Sequence, residues 1–155
     1  MGITIWIDGD ACPNMIKEIV FKAALRVKAK VRLVANSYHK IPANQLFSLD
    51  VVDRSFDAAD HFILGEMQSG DLVITADIPF ADELIKQKGF VVTPKGEELN
   101  ARNIGDKLAT RNLLSELRGG LLIQGGAPPP GDREKRAFAD AFDRVLTRAI
   151  RAASV

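Results

Sequence analysis

The sequence predicts a three-layer α/β sandwich on a mostly parallel, five-stranded sheet. Short apolar runs alternate with segments of helical periodicity along the chain. Strands joined through helices run parallel and connect by right-handed crossovers, so helices cover both faces of the sheet. A length of 155 residues fits one domain, residues 1–155, with enough core to fold without a disulfide or a metal.

The first strand is Ile3–Ile7, a β-branched apolar run. A tight turn, Asp8–Cys12, follows, and Pro13 suits the first helical position because its missing N–H is not needed there. Ile16, Ile19, Val20, Ala23, Ala24 and Val27 then trace one helical face. Val31–Ala35 is the second strand, Asn36–Asn44 a polar loop, and Leu49–Val52 a short third strand. Asp57–Met67 reads as a helix, and Leu72–Thr75 as the fourth strand after a Gly70-Asp71 turn. A helix over Pro79–Lys88 stops at Gly89, before a fifth strand, Phe90–Val92. A basic loop, Thr93–Asn100, leads to a helix from about Asn103 to Leu117. The Gly/Pro-rich stretch 119–131 predicts a mobile loop. The last helix runs from Asp132 to about Arg151, with Phe138, Phe142, Val145, Leu146 and Ala149 on one stripe. That stripe must dock, on the helix's own core or on a second chain; the oligomeric state stays open, with a homodimer one arrangement.

Charged residues make up 26% and hydrophobic residues 46%, which excludes a mostly disordered chain. The single cysteine excludes an intrachain disulfide and four-thiolate clusters. No apolar run approaches the ~20 residues of a membrane span. The N-terminal apolar run lacks a positive leader and meets Asp8 at once, unlike a signal peptide. These exclusions predict a cytoplasmic protein without a membrane partner. A net charge of +1 gives no global pull toward nucleic acid, so any such pull must be local.

Ligands in parallel sheets sit beyond the carboxyl ends of the strands. Asp8 and Asp10 follow the first strand there, and Asp77 follows the fourth. Asp57 and Asp60 share a helix face at i, i+3 spacing. If strands one and four are neighbours, Asp8 and Asp77 hang about 4.8 Å apart and repel unless a cation lies between them. Carboxylate oxygens suit Mg²⁺ or Mn²⁺, and a Mg²⁺ site keeps waters and room for a phosphate. The candidate metal ligands are therefore Asp8, Asp10, Asp57, Asp60 and Asp77. Asp10 and Asp57 also fit helix N-caps or first-turn acids. Asp71 reads as a turn residue and Asp82 as a solvated helix face.

Cys12 stands at a helix start, where thiols are activated. Glu18 occupies the place of the arginine that a phosphatase loop would need, and acids flank the thiol, so Cys12 reads as a packing residue. His39 and His61 have no zinc spacing and read as surface or partner-satisfied histidines. Six basic residues, Lys17, Lys22, Arg26, Lys28, Lys30 and Arg32, lie between Lys17 and Arg32 against one acid, Glu18. More bases lie on the last helix. Such runs are solvated faces or the flanks that a polyanion beside an acidic centre needs.

Asp8-Gly-Asp-Ala-Cys-Pro13, Val34-Ala-Asn36, Phe56-Asp-Ala-Ala-Asp60, Gly70-Asp-Leu-Val-Ile-Thr-Ala-Asp-Ile-Pro79, Leu117-Arg118, Gly125-Gly126 and Asp132-Arg133 resemble the motifs of the YaiI/YqxD family of uncharacterised bacterial proteins. The likeness runs nearly the whole chain in order. That family is regarded as PIN-like. The resemblance implies a PIN-like fold with strand order 3-2-1-4-5, and acids that hold Mg²⁺ or Mn²⁺ for cutting RNA. Three places depart from the family pattern. Gly9 stands within an Asp-Ala-Asp, Leu99-Asn100 replaces Tyr-Thr, and Asn112 replaces an Asp.

The leading expectation is a Mg²⁺- or Mn²⁺-dependent nuclease acting on RNA or another phosphodiester, with Asp8, Asp60 and Asp77 as catalytic ligands. Asn36 and Thr75 would orient water or phosphate, and Lys22 and Arg26 would bind substrate. The alternative is a non-catalytic RNA- or protein-binding module with structural acids. A haloacid-dehalogenase-type phosphatase matches Asp8-x-Asp10, but Pro13 leaves no room for the insertion which that fold needs.

Overall fold

A computed structural model describes residues 2–55, 57–117 and 129–154. In chain order they form β1 (Thr4–Asp8), a 3-10 turn (Gly9–Ala11), α1 (Asn14–Val27), β2 (Lys30–Ala35), β3 (Phe47–Val51), α2 (Ala58–Glu66) and β4 (Leu72–Ile74). Then follow α3 (Ile78–Lys86), β5 (Phe90–Val92), β6 (Glu98–Leu99), α4 (Ile104–Leu117) and α5 (Asp132–Ala153). The sheet order is β3-β2-β1-β4-β5-β6. The first five strands are parallel, in the order that the resemblance implies.

The sheet has six strands, not five. The stretch expected as a basic loop contains β6, which pairs antiparallel through Val91–Leu99 and Val92–Glu98. Two residues are too few to leave a period-2 signature. β3 begins at Phe47, two residues ahead of the expected Leu49, because Phe47 packs its ring on Phe21 at 4.7 Å. Pro13 caps α1 from outside rather than opening it. The turn after α3 places Lys88, not Gly89, in the left-handed region, at φ 64. Most of the stretch expected as a mobile loop, residues 119–128, lies outside the described residues.

Successive strand residues point to opposite faces. Ile5, Ile7, Leu33, Leu72 and Ile74 face one core with α1 and α5. Trp6, Val34, Val73 and Val91 face the other with α2, α3 and the start of α4. The last helix therefore docks on its own core: Phe138, Phe142, Val145, Leu146 and Ala149 are all buried. Gly96 (φ +88) makes this closure fit. A Cβ there would lie 2.6 Å from the Ala137 carbonyl carbon, so only glycine lets the β5–β6 turn press on α5.

Asp71 is more than a turn residue. Its buried carboxylate accepts from Thr4 N–H (3.0 Å), Trp6 Nε1–H (3.0 Å) and Gln68 N–H (2.9 Å). It ties the start of β4 to β1. Trp6 also carries the Arg32 guanidinium 4.5 Å from its ring centroid and Phe62 edge-on at 6.5 Å.

Phe142→Ala should destabilise the fold by roughly 3–5 kcal/mol, read as a lower urea midpoint at unchanged slope; an unmoved midpoint would show that α5 adds little. Asp71→Ala leaves buried donors unpaired at about 1–3 kcal/mol each. It should lower the melting temperature and shift the emission of the lone tryptophan, whereas unchanged emission would deny the bond to Trp6.

Candidate functional site

The carboxyl ends of β1, β2 and β4 come together because β1 lies between the other two. Asp8 ends β1, and Thr75 follows β4 directly alongside it. The buried Thr75 hydroxyl donates to Asp8 Oδ2 at 2.9 Å and accepts from Asp77 N–H at 3.1 Å. Both roles of the hydroxyl are engaged, so Thr75 positions Asp8 and does not itself present a donor to a ligand. Asp77 caps α3, its Oδ1 accepting from Phe80 N–H at 3.0 Å. That cap gives Asp77 a structural duty that the sequence reading did not assign to it.

Asp60 projects from the first turn of α2. Asp57 occupies the N-cap position of that helix in the left-handed region (φ 65), yet its side chain makes no cap bond. It stands instead within hydrogen-bond reach of Asp60. Burial pushes the Asp60 carboxyl up to about 7, with further contributions from the charges of Asp77, Asp8 and Asp57 and from the Asp57 bond. Asp8 is also raised, first by burial and then by Asp77 and Asp10, against the lowering effect of Thr75. Five acids thus feel one another across three segments of chain. A cleft of about 470 Å³ between α2, α3 and α4 is lined by Asp57, Asp60, His61, Asp77 and Asp82, with Lys86 and Arg111 also on its wall. Asp82, expected on a solvated face, lines this cleft while paired with Lys86 at 3.1 Å.

Asp10 is engaged elsewhere. Its Oδ2 accepts from Asn36 N–H at 2.8 Å, and its Oδ1 faces His39 Nε2 at 3.6 Å. Behind the ring, Lys17 Nζ lies 3.0 Å from His39 Nδ1. An ammonium only donates, so Nδ1 accepts and the ring proton sits on Nε2, toward Asp10. The sequence reading missed this Lys17–His39–Asp10 chain, and Asn36 enters it through its backbone. Lys17 is buried, and desolvation lowers its pKa. Cys12 is buried too, its thiol pushed up to about 12 by desolvation, with Lys17 opposing and Asp8 adding to the shift. It is a packing residue, not a nucleophile.

The basic run between Lys17 and Arg32 does not form one patch. Arg26 pairs with Asp143 of α5 at 2.9 Å. Arg32 pairs with Asp50 at 3.1 Å and lies over Trp6. Lys22 lies two turns along α1 from the helix start that adjoins the acids.

Asp8, Asp60 and Asp77 have the donor chemistry for a hard cation, and their mutual repulsion favours one. Among the described residues, no three His, Cys, Asp or Glu side chains stand close enough to hold a single ion. A Mg²⁺ ion needs only one or two carboxylates beside water and phosphate, which this set fits.

Residues 6–148 match the model of the uncharacterized BCR, YaiI/YqxD family. The chain belongs to the YaiI/YqxD family. A UPF0178 protein of Pseudomonas fluorescens (strain Pf0-1) is 48% identical over 147 residues, 95% of this chain and 97% of its own. UPF0178 proteins of Legionella pneumophila (strain Paris) and Saccharophagus degradans (strain 2-40) are 44% identical over 146 residues and 43% identical over 147. The first of these covers 94% of this chain and 99% of its own, the second 95% and 97%. No solved structure matches the chain. No helix among the described residues is long and apolar enough to cross a membrane.

The raised Asp60 carboxyl has a signed consequence. Between pH 3.8 and about 7 the folded state holds a proton that the unfolded chain releases, so stability falls as pH rises through that window. Asp60→Asn should therefore melt a few degrees above wild type at pH 8 without metal. The advantage should shrink as pH falls below 7 and vanish below about 4. Parallel melting curves across pH 4–8 would place Asp60 in an ordinary solvated setting.

Proposed function

We propose that this YaiI/YqxD-family protein is a cytoplasmic, PIN-like nuclease that uses Mg²⁺ or Mn²⁺ on RNA or another phosphodiester. The observation that carries the reading is that Asp8, Asp60 and Asp77, from three separate elements at the carboxyl edge of a parallel sheet, lie near enough to repel one another. A bound ion would offset their charge, polarise a phosphoryl oxygen and lower the pKa of a water. Asp8, oriented by Thr75, would be the fixed ligand. Asp77 is held by its cap and offers its other carboxylate oxygen. Asp60, raised to about 7 with its proton shared toward Asp57, would be the ligand whose proton a cation would displace. Asp10 is the outermost of the five acids and couples the centre to His39.

One observation favours a second reading, a non-catalytic RNA- or protein-binding module: among the described residues, no three ligand side chains stand together as they are arranged. A haloacid-dehalogenase-type phosphatase fits poorly. α1 starts at Asn14, with only Cys12 and Pro13 between it and the 3-10 turn, and Asp10 is tied to Asn36 and faces His39.

Calorimetric Mn²⁺ titration and cleavage of a labelled oligoribonucleotide separate the readings. Wild type should bind Mn²⁺ and cleave only with the metal. Asp8→Asn should lose both by ~100-fold or more. Asp77→Asn should lose them while α3 stays capped, because Asn caps as well as Asp. A wild type that folds yet neither binds Mn²⁺ nor cleaves would overturn the nuclease reading, as would an Asp8→Asn variant equal to it.

A further inference from the structure

Tyr38, the one tyrosine of the chain, is 79% exposed and joins neither core. It is the most exposed of the large hydrophobic side chains among the described residues. The backbone that carries it is anchored on both sides. Two residues before it, Asn36 N–H donates to Asp10. One residue after it, His39 faces Asp10 and is backed by Lys17. An aromatic ring on a doubly anchored segment has lost backbone freedom without gaining burial. It is thus presented to solvent at modest further ordering cost.

The chain after Tyr38 borders a groove of about 550 Å³ against α1. Phe21, Leu25 and Ile41 give it an apolar wall; Lys22 and Lys40 give it positive charge, against Glu18 alone. Neither Lys22 nor Lys40 has an acidic partner among the described residues. The surface thus changes sign across the Asp10–His39 contact, from carboxylates to ammonium groups. A polyanion reaching the acids is repelled by them and needs attraction beside them. An aromatic face next to lysines suits unpaired bases joined by phosphates, since a duplex hides its base faces.

We infer that Tyr38 and the Lys22–Lys40 groove form a binding subsite for single-stranded RNA, with a base stacked on Tyr38 and phosphates passing Lys40 and Lys22. The subsite takes from the nuclease reading only its position beside the acids.

The test is fluorescence anisotropy with a labelled octauridylate in EDTA, so that neither metal nor cleavage enters. Tyr38→Ala should weaken binding about 5- to 150-fold, the range for a lost base–aromatic stack, and Tyr38→Phe should restore it. Replacing Lys22 and Lys40 by Ala should reduce the log–log salt slope by roughly 1.4. Inorganic polyphosphate of equal charge should compete poorly. Wild type that fails to bind, Tyr38→Ala that binds equally well, or polyphosphate that competes as well as RNA would each overturn the subsite. The last outcome would assign the groove to charge alone. Tyr38-dependent binding without Mn²⁺-dependent cleavage leaves the subsite standing and sinks the nuclease reading. Metal-dependent cleavage with no effect of Tyr38 on binding does the reverse.

Discussion

β1 and β4 are fastened to each other at both ends, and the positions of the other parts follow from that. At the amino end the Asp71 carboxylate, entering β4, takes the Thr4 N–H and the Trp6 indole of β1. At the carboxyl end Thr75, leaving β4, gives its hydroxyl to Asp8. The two anchors are four residues apart on β4. A slip of one residue would turn Trp6 and Val73 into the opposite core and would break both anchors. With this register fixed, crossovers carry α1 and α2 to opposite faces. The acids that follow β1 and β4 are left side by side.

The same pairing creates the electrostatic tension at the carboxyl edge. Asp8 cannot move away from Asp77, because Thr75 bonds the carboxylate of one and the backbone N–H of the other. α2 brings Asp60 into the same field, where burial first and then the charges of Asp77, Asp8 and Asp57 push its carboxyl up to about 7. The fold tolerates this by protonation: a carboxyl at about 7 is substantially neutral under ordinary conditions. Carboxyls raised by burial and by one another are the pattern on which the proposed metal reading rests. Cys12, in the same turn, shifts in the same direction: burial first, then Asp8, against the opposing charge of Lys17, keep it a thiol.

The features legible in the sequence were those with a short repeat. Alternating apolar runs disclosed all five parallel strands, and the phenylalanine stripe of α5 disclosed its docking face. Acids directly after strands one and four disclosed Asp8 and Asp77, since topology rather than detail brings them together. What stayed hidden was pairing over distance. Arg26 meets Asp143 from 117 residues away, and Asp71 meets Thr4 from 67. Neither leaves a local pattern. Asp71 had one available signal: an acid at the mouth of a buried strand, in a chain with a single indole that needs an acceptor. Lys17 had another, a lysine at a position on α1 flanked by the core residue Ile16, yet nothing in the spacing pointed to His39 as its partner.

Density of basic residues overstated the positive surface for the same reason. Of the six between Lys17 and Arg32, Lys17 is buried against His39, Arg26 is paired with α5, and Arg32 is folded over Trp6. Such charges are neutralised or shielded where they stand and attract little at a distance. The remaining lysines are separated by the helix. Lys22 turns toward the groove, while Lys28 and Lys30 lie at the far, amino-terminal edge of β2. Charge is thus separated locally at the carboxyl edge. Acids stand on the α2–α3 side and ammonium groups on the α1 side, with Asp10 and His39 as the seam. A uniformly basic face would bind polyanions in any orientation. A face that changes sign attracts a polyanion on its ammonium side and repels it on the other unless a cation offsets the acids.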